Sequence, residues 1–396
     1  MRWFIPALAA AWLAAQPAAG RTLWVLQAPD RIAEYDAATF TARRTVTVPR
    51  RVVERPEHLA VNTHGQLLAA ADDLIWVWDG GAAREWKVTL APDVSRQWFL
   101  AAAGDGLYGL ETRLTLTRDR DGVEQSVRGA AKLLRTDLSG SNARDVFSLP
   151  DLPSCQCETG ACSETCPVWI AWAPNAGLGD VVLATRYVEG QLQSDFQESV
   201  IYRRRGTAWT PTALSAPIES PLTASGDATL LAAAIGDAGC CGWINESSNQ
   251  LIVINKGART VVFDEWARFD NRNYDATFMV SAAELSPSAA RLAYTVAADA
   301  PKANEEIRLS SDGKDNPPEL ARIRKAVSEL PAVEIVEIAN PARTRVTIAG
   351  AELVGWLDAD QILVAQNGQL AVFDRQGSKT RDLPIRVRRA ADAFLR

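Results

Sequence analysis

Short apolar runs, broken at close intervals by Asp, Asn, Gly and Pro, dominate the chain beyond its first twenty residues. Leu23-Trp24-Val25-Leu26 reads as a strand, Arg31 to Tyr35 begins a second, and Arg44 to Val48 makes a third that Pro49 closes. Four more are predicted at His58 to Val61, Leu67 to Ala70, Leu74 to Trp78 and Glu85 to Thr89. Thr63-His64-Gly65, Asp72-Asp73 and Asp79-Gly80-Gly81 supply the turns between them. The same unit returns near the C-terminus as Glu352 to Trp356, Gln361 to Ala365, Gln369 to Phe373 and Thr380 to Val387. Looser copies start at Gln97, Val168, Pro221 and Phe278. Helical periodicity is nearly absent. Its clearest instance is Pro318 to Leu330, where Leu320, Ile323, Val327 and Leu330 fall on one face.

Recurrence of a four-strand unit at a spacing close to the period of about 40 residues known for propeller repeats predicts an all-β fold, a single β-propeller. Seven four-stranded blades account for the copies best, with six or eight as the alternatives, and there is a Cys-rich insert at 151–167 and a loop-helix insert at 301–331. The competing architecture is a β-sandwich followed by a second β domain, but no Pro/Gly/Ser-rich linker divides the chain. The first copy shows only three strands, so a segment such as Ala390 to Leu395 is expected to supply its innermost strand and close the ring. That segment is Ala-rich, which makes a short helix the rival reading.

Leu285-Ser286-Pro287-Ser288-Ala289-Ala290-Arg291-Leu292-Ala293-Tyr294 resembles the SPDG-(K/R)-LAY core of TolB-like propeller repeats, with Ser288-Ala289 in place of the usual Asp-Gly. Ile32 to Thr39, followed by Pro56-Glu57-His58-Leu59-Ala60-Val61, resembles bacterial YVTN-type repeats. The resemblance implies a propeller; those families hold scaffolds, ligand binders and protease-associated domains, so it implies no single function.

Residues 1–20 (MRWFIPALAAAWLAAQPAAG) carry one basic residue, an apolar stretch too short to span a bilayer, and small residues at Ala18 and Gly20. This reads as a signal peptide cleaved near Gly20, leaving a 21–396 propeller that is exported, periplasmic or extracellular, from a bacterium. No later stretch is long and apolar enough to cross a membrane. The formal charge of −6 gives a nucleic-acid partner no support. Two histidines leave little room for His-based catalysis or His-rich metal sites.

Six cysteines form two groups, Cys155, Cys157, Cys162 and Cys166, then Cys240 and Cys241. An even count in an exported chain predicts three disulfides linking the first group within itself and to the second. A four-thiolate metal site and a redox-active pair are the alternatives; Cys155 and Cys157 sit closer than structural zinc pairs usually do. Thr117, Asp119, Asp121 and Gly122 partly match a calcium loop but fail at its first and last positions, so a hairpin tip is expected. Most of the 13 tryptophans, among them Trp76, Trp78, Trp86, Trp169, Trp172 and Trp356, belong to strands and should pack between blades. Trp243, in a loop beside Cys240-Cys241, is the ligand-contact candidate.

There is no G-x-S-x-G, H-E-x-x-H or P-loop, and no catalytic residue, cofactor or metal is assigned. In each blade of strands a to d, counted outward from the axis, the b–c loop and the d–a link leave on the same face. The insertions at Thr115–Ala130, Glu189–Glu198, Asp237–Asn249 and Pro301–Pro331, and the Cys155–Cys166 insert, all fall on those connections. The expectation is a recognition or scaffold module that binds a protein or polymer partner through that face, with Trp243, Arg118, Asp119, Arg120, Asp121, Lys314 and Asp315 as binding candidates. A propeller hydrolase or lyase with a carboxylate site in the central pore is the first alternative, and a redox or metal-handling protein built on the cysteines is the second.

Overall fold

The computed structural model describes residues 21–28, 30–48, 59–62, 64–71, 74–91, 94–99, 106–118, 124–148, 169–173, 181–187, 197–205, 208–214, 218–224, 230–238, 247–255, 258–299, 307 and 317–395. Its strands form seven four-stranded antiparallel sheets. Sheet 1 runs outward as Ala393–Leu395, Thr22–Ala28, Arg31–Asp36 and Ala42–Thr47. The other six each take four consecutive strands, beginning at Leu59, Val94, Trp169, Ile218, Thr277 and Ala351 and numbered here sheets 2 to 7. First strands of successive sheets touch from Trp169–Ala173 through Ile218–Ala224, Thr277–Leu285 and Ala351–Trp356 to Ala393–Leu395, so they surround the axis of a β-propeller.

The ring closes as the short first copy requires. Ala393, Phe394 and Leu395 pair with Val25, Trp24 and Leu23, placing the last strand of the chain on the inner edge of sheet 1. The Ala-rich segment does both things its composition allows. Ala390–Asp392 makes a 3-10 turn and Ala393–Leu395 extends from it. Asp392 is buried beneath Arg388 and Arg389, and the Ala390 N–H donates to Glu352 of sheet 7 at 2.9 Å.

Alternation along each strand sends apolar side chains into the seams between sheets. Trp24, Leu26 and Ile32 of sheet 1 meet Leu67, Leu74 and Trp76 of sheet 2. Leu251, Val253 and Phe263 of sheet 5 meet Phe278, Leu292 and Tyr294 of sheet 6. Val333 and Ile335 meet Trp356 and Ile362 between sheets 6 and 7, and Leu363 and Leu383 meet Leu23 and Leu395 between sheets 7 and 1. Trp76 and Trp356 are buried, while Trp78 is half-buried beneath the Arg44 guanidinium, 4.2 Å from its ring centre. Trp169 and Trp172 lie on a strand, their side chains outside the described set.

One face of the ring carries the a–b and c–d turns. Asp36, Asp79, Asp137 and Asp374 each close a c–d turn by accepting backbone N–H groups two to four residues on. Asp358 does the same in an a–b turn. These hydrogen bonds, with Arg43 added at Asp36, bring the Asp36 carboxyl down to about 2. Asp79 is also lowered, chiefly by the N–H of Ala82, and Asp137 chiefly by the Ser139 hydroxyl.

Candidate binding face

The opposite face carries the b–c loops and d–a links. Connections there run from Thr47 to Leu59, Ser148 to Trp169, Tyr187 to Gln197, Asp264 to Thr277 and Asp299 to Ala332. Each is longer than any connection on the turn face, where the greatest gap between described strands is Glu337 to Val346. The predicted insertion in sheet 3 takes a different form. Its strands Gly106–Arg118 and Glu124–Asp137 stay paired almost to the end, with Arg118 opposite Glu124, so most of the expected loop is a two-stranded projection. The Thr115-Leu116-Thr117 alternation is the period-two pattern of a strand.

Sheets 5 and 6 carry the described helices of this face. In the Asp264–Thr277 link, Asp264 caps a short helix, α1 (Glu265–Phe269), by accepting from the Ala267 N–H at 2.8 Å. Asp270 ends it with φ 51°, a left-handed position that Asp tolerates. Glu265 is wholly buried. One of its oxygens accepts from the Asn249 N–H at 3.0 Å and the Asn249 amide at 2.8 Å. The other accepts from the Asn271 amide at 2.6 Å and the Phe278 N–H at 2.7 Å. Asn249 lies just after the b–c connection of sheet 5, and Phe278 begins sheet 6. The carboxylate therefore pins the foot of that connection to the next sheet. Burial pushes its pKa up, against the pull of the four donors.

The helix expected at Pro318 to Leu330 is α2 (Pro317–Ser328). Ile323 is buried, and Leu320, Val327 and Leu330 pack with it against the sheet 5–6 seam, as their spacing requires. Arg322 donates to the Phe269 carbonyl at 2.9 Å, tying α2 to the end of α1. Phe269 stacks on Phe278 with ring centres 3.8 Å apart. Arg268 makes a two-pronged contact with Glu334, which is buried and also accepts from the Tyr294 hydroxyl at 2.6 Å and faces Arg345 at 3.4 Å. Burial, together with the Glu334 charge, raises the Tyr294 pKa. Arg324 and Lys325 point outward from this braced base.

Such carboxylates are fixed by several donors and suited to holding structure. On the first strands of sheets 6 and 7, Glu284 accepts from the Trp356 N–H at 3.1 Å and Glu352 from the Ala390 N–H at 2.9 Å. Each stitches its sheet to the next. Among the described residues no three His, Cys, Asp or Glu side chains are grouped to hold a metal ion, and no helix is long and apolar enough to cross a membrane.

Cys155, Cys157, Cys162, Cys166, Cys240, Cys241, Trp243, Asp119, Arg120, Asp121, Lys314 and Asp315 lie outside the described residues, as do residues 1–20. Arg118 is described as a strand end only. Sequence reading missed Glu265, Asn249, Asn271, Arg268 and Glu334. The one available signal was Asp264-Glu265 before Trp266 with Arg268 in the last turn, a helix start and stop.

No family model and no curated protein matches this chain. Among solved structures, it is similar to apo AztD from Citrobacter koseri at 10% identity and TM-score 0.46, over 95% of this chain and 97% of that one. The WD40 domain of SCAP from fission yeast matches at 11% identity and TM-score 0.38, over 92% of this chain and 82% of that one. The acylaminoacyl peptidase of Pyrococcus horikoshii matches at 11% identity and TM-score 0.45, over 90% of this chain and 48% of that one.

Proposed function

We propose that the chain is an exported recognition or scaffold propeller that binds a protein or polymer partner through its insertion-bearing face. The carrying observation is the asymmetry between faces: the longest connections leave from the b–c and d–a ends, while hydrogen-bonded Asp turns trim the other side. Loops tolerate insertion anywhere on a surface, so confinement to one side argues for use of that side. The buried Glu265 and Glu334 contacts supply the rigid base such a surface needs. In this reading the leader directs export, disulfides among the six cysteines brace the insertions, and Trp243 with the charged tips at Arg118 to Asp121, Lys314 and Asp315 meets the partner.

The test is crosslinking in the producing cell's envelope, read by mass spectrometry, with Trp243→Ala, Arg120→Ala and Lys314→Ala set against Asp79→Ala on the turn face. Loss of a crosslinked partner in the first three and its retention in the fourth supports the reading. The reverse pattern overturns it. Non-reducing peptide mapping tests the bridges, and free thiols at four or more positions would remove them from the reading.

A further inference from the structure

On the turn face, away from the insertions, the seam between sheets 6 and 7 opens into a cavity of about 210 Å³. Arg291, Glu337 and Thr344 line it from sheet 6, and Arg375 and Gln376 from sheet 7. Both arginines are held by one a–b turn of sheet 7. Arg291 reaches across the seam, donating to the Ala359 carbonyl at 3.3 Å, and the Arg375 guanidinium meets the Asp360 carboxylate at 3.0 Å. The Arg375 N–H also donates to the Asp360 carbonyl at 2.9 Å, fixing its backbone. Each contact uses one end of a guanidinium group that has five N–H donors, so both retain donors for a ligand. The Thr344 hydroxyl is committed, accepting from the Glu337 N–H and donating to the Asn340 carbonyl, which fixes the loop that forms the far wall.

We infer that this cavity binds a small hydroxylated monocarboxylate of about the size of a uronic acid, its carboxylate between Arg291 and Arg375. Asp360 and Glu337 offset the charge of the two guanidinium groups, so it is their remaining N–H donors, suited to a planar carboxylate, that select an anion. A carboxylate fits better than a phosphate dianion because Glu337, whose oxygen lies 3.9 Å from Arg291 Nε, would repel the second charge. The Glu337 carboxylate and Gln376 amide provide acceptors and a donor for hydroxyl groups on the rest of the ligand. The volume lies below the usual range of about 300–1,000 Å³ for larger ligands, which sets the size limit.

Calorimetric titration of the full chain with D-glucuronate, D-glucose, acetate and inorganic phosphate tests this. Glucuronate should bind with a Kd of about 1 mM, acetate more weakly, and glucose and phosphate without saturation. Arg375→Gln should weaken glucuronate at least about tenfold, and Arg291→Gln likewise. Arg324→Gln, on the other face, should leave it unchanged. Arg375 is exposed and holds no seam, so its variant keeps the test decisive if Arg291→Gln unfolds. Absence of saturable glucuronate binding, equal binding of phosphate, or unaltered binding by Arg375→Gln overturns the inference. None of these results bears on the partner-binding face, whose variants lie on the opposite side.

Discussion

Closing the ring with three residues makes Leu395 a sensitive point. Its side chain is only 8% exposed and packs with Leu23, Val25, Leu357 and Leu383 at the sheet 7–1 seam. Leu395→Ala removes most of that contact without altering the strand pairing. Buried Leu→Ala changes cost about 2–5 kcal/mol, and a strand of three residues relaxes easily, so about 2–3 kcal/mol is expected. At about 2.1 cal/mol/K per residue, a domain of this length unfolds with an entropy near 0.8 kcal/mol/K, which turns the loss into a fall in Tm of about 3 °C. Val261→Ala, on a side chain 39% exposed, is the control and should move Tm by less than about 1 °C. Deletion of residues 388–396 should lower Tm further. It also frees the inner edge of Thr22–Ala28, so light scattering should detect association that the full chain lacks. The measurements are scanning calorimetry and scattering at matched concentration. If Leu395→Ala melts with the Val261→Ala control and the deletion stays monodisperse, the last strand is not what closes the ring.

Three further outcomes follow from local geometry. Glu265 has a raised pKa, so its ionisation works against the fold; stability attributable to it is full below the ordinary carboxylate value and declines as pH rises through the raised one. Glu265→Gln should flatten that stretch of a Tm-against-pH curve, and an unchanged slope would count against the burial argument. Asp36 is lowered to about 2, so the stability it lends is present above the ordinary carboxylate value and disappears only as pH falls through about 2; an NMR titration placing it near 4 would contradict its turn contacts. Gly355 has φ 157°, and a Cβ there would overlap the Glu284 carboxylate that receives the Trp356 N–H. Gly355→Ala should therefore cost about 1–3 kcal/mol, while Gly81→Ala, with open space around it, should be near neutral by thermal melting.

Strands were legible wherever an apolar run met turn chemistry on both sides. Leu74–Trp78 matches its expected bounds, and the four strands from Ala351 to Arg386 differ from expectation by a residue or so at their ends. Ile323 announced α2 because a twelve-residue helix is long enough for its period to show. The five residues of α1 are not, and only its cap and charges mark it. The Glu265 cluster was illegible for another reason. Asn249, Asn271 and Phe278 are brought to it by a d–a link crossing between sheets, and no spacing along the chain records that crossing. Arg291 and Arg375 come to line one cavity from two sheets in the same way.

The two faces differ in what the repeat demands of them. A c–d turn must return the chain to the same sheet at a strand spacing of about 4.8 Å, so an Asp that caps its own turn is the economical solution and recurs at Asp36, Asp79, Asp137 and Asp374. A d–a link instead travels from the rim of one sheet to the axis of the next, and nothing in that path fixes its length. The b–c loops of sheets 4 and 6 are long although hairpin geometry would let them be as short as Asn367-Gly368 in sheet 7, whose positive φ values make a tight turn. Part of the sheet 6 connection is used in packing, since α2 buries Ile323 against the sheet 5–6 seam. Since sheet 7 shows that the fold closes this turn with two residues, hairpin closure does not require the extra chain in sheets 4 and 6, and partner binding is the use we propose for it.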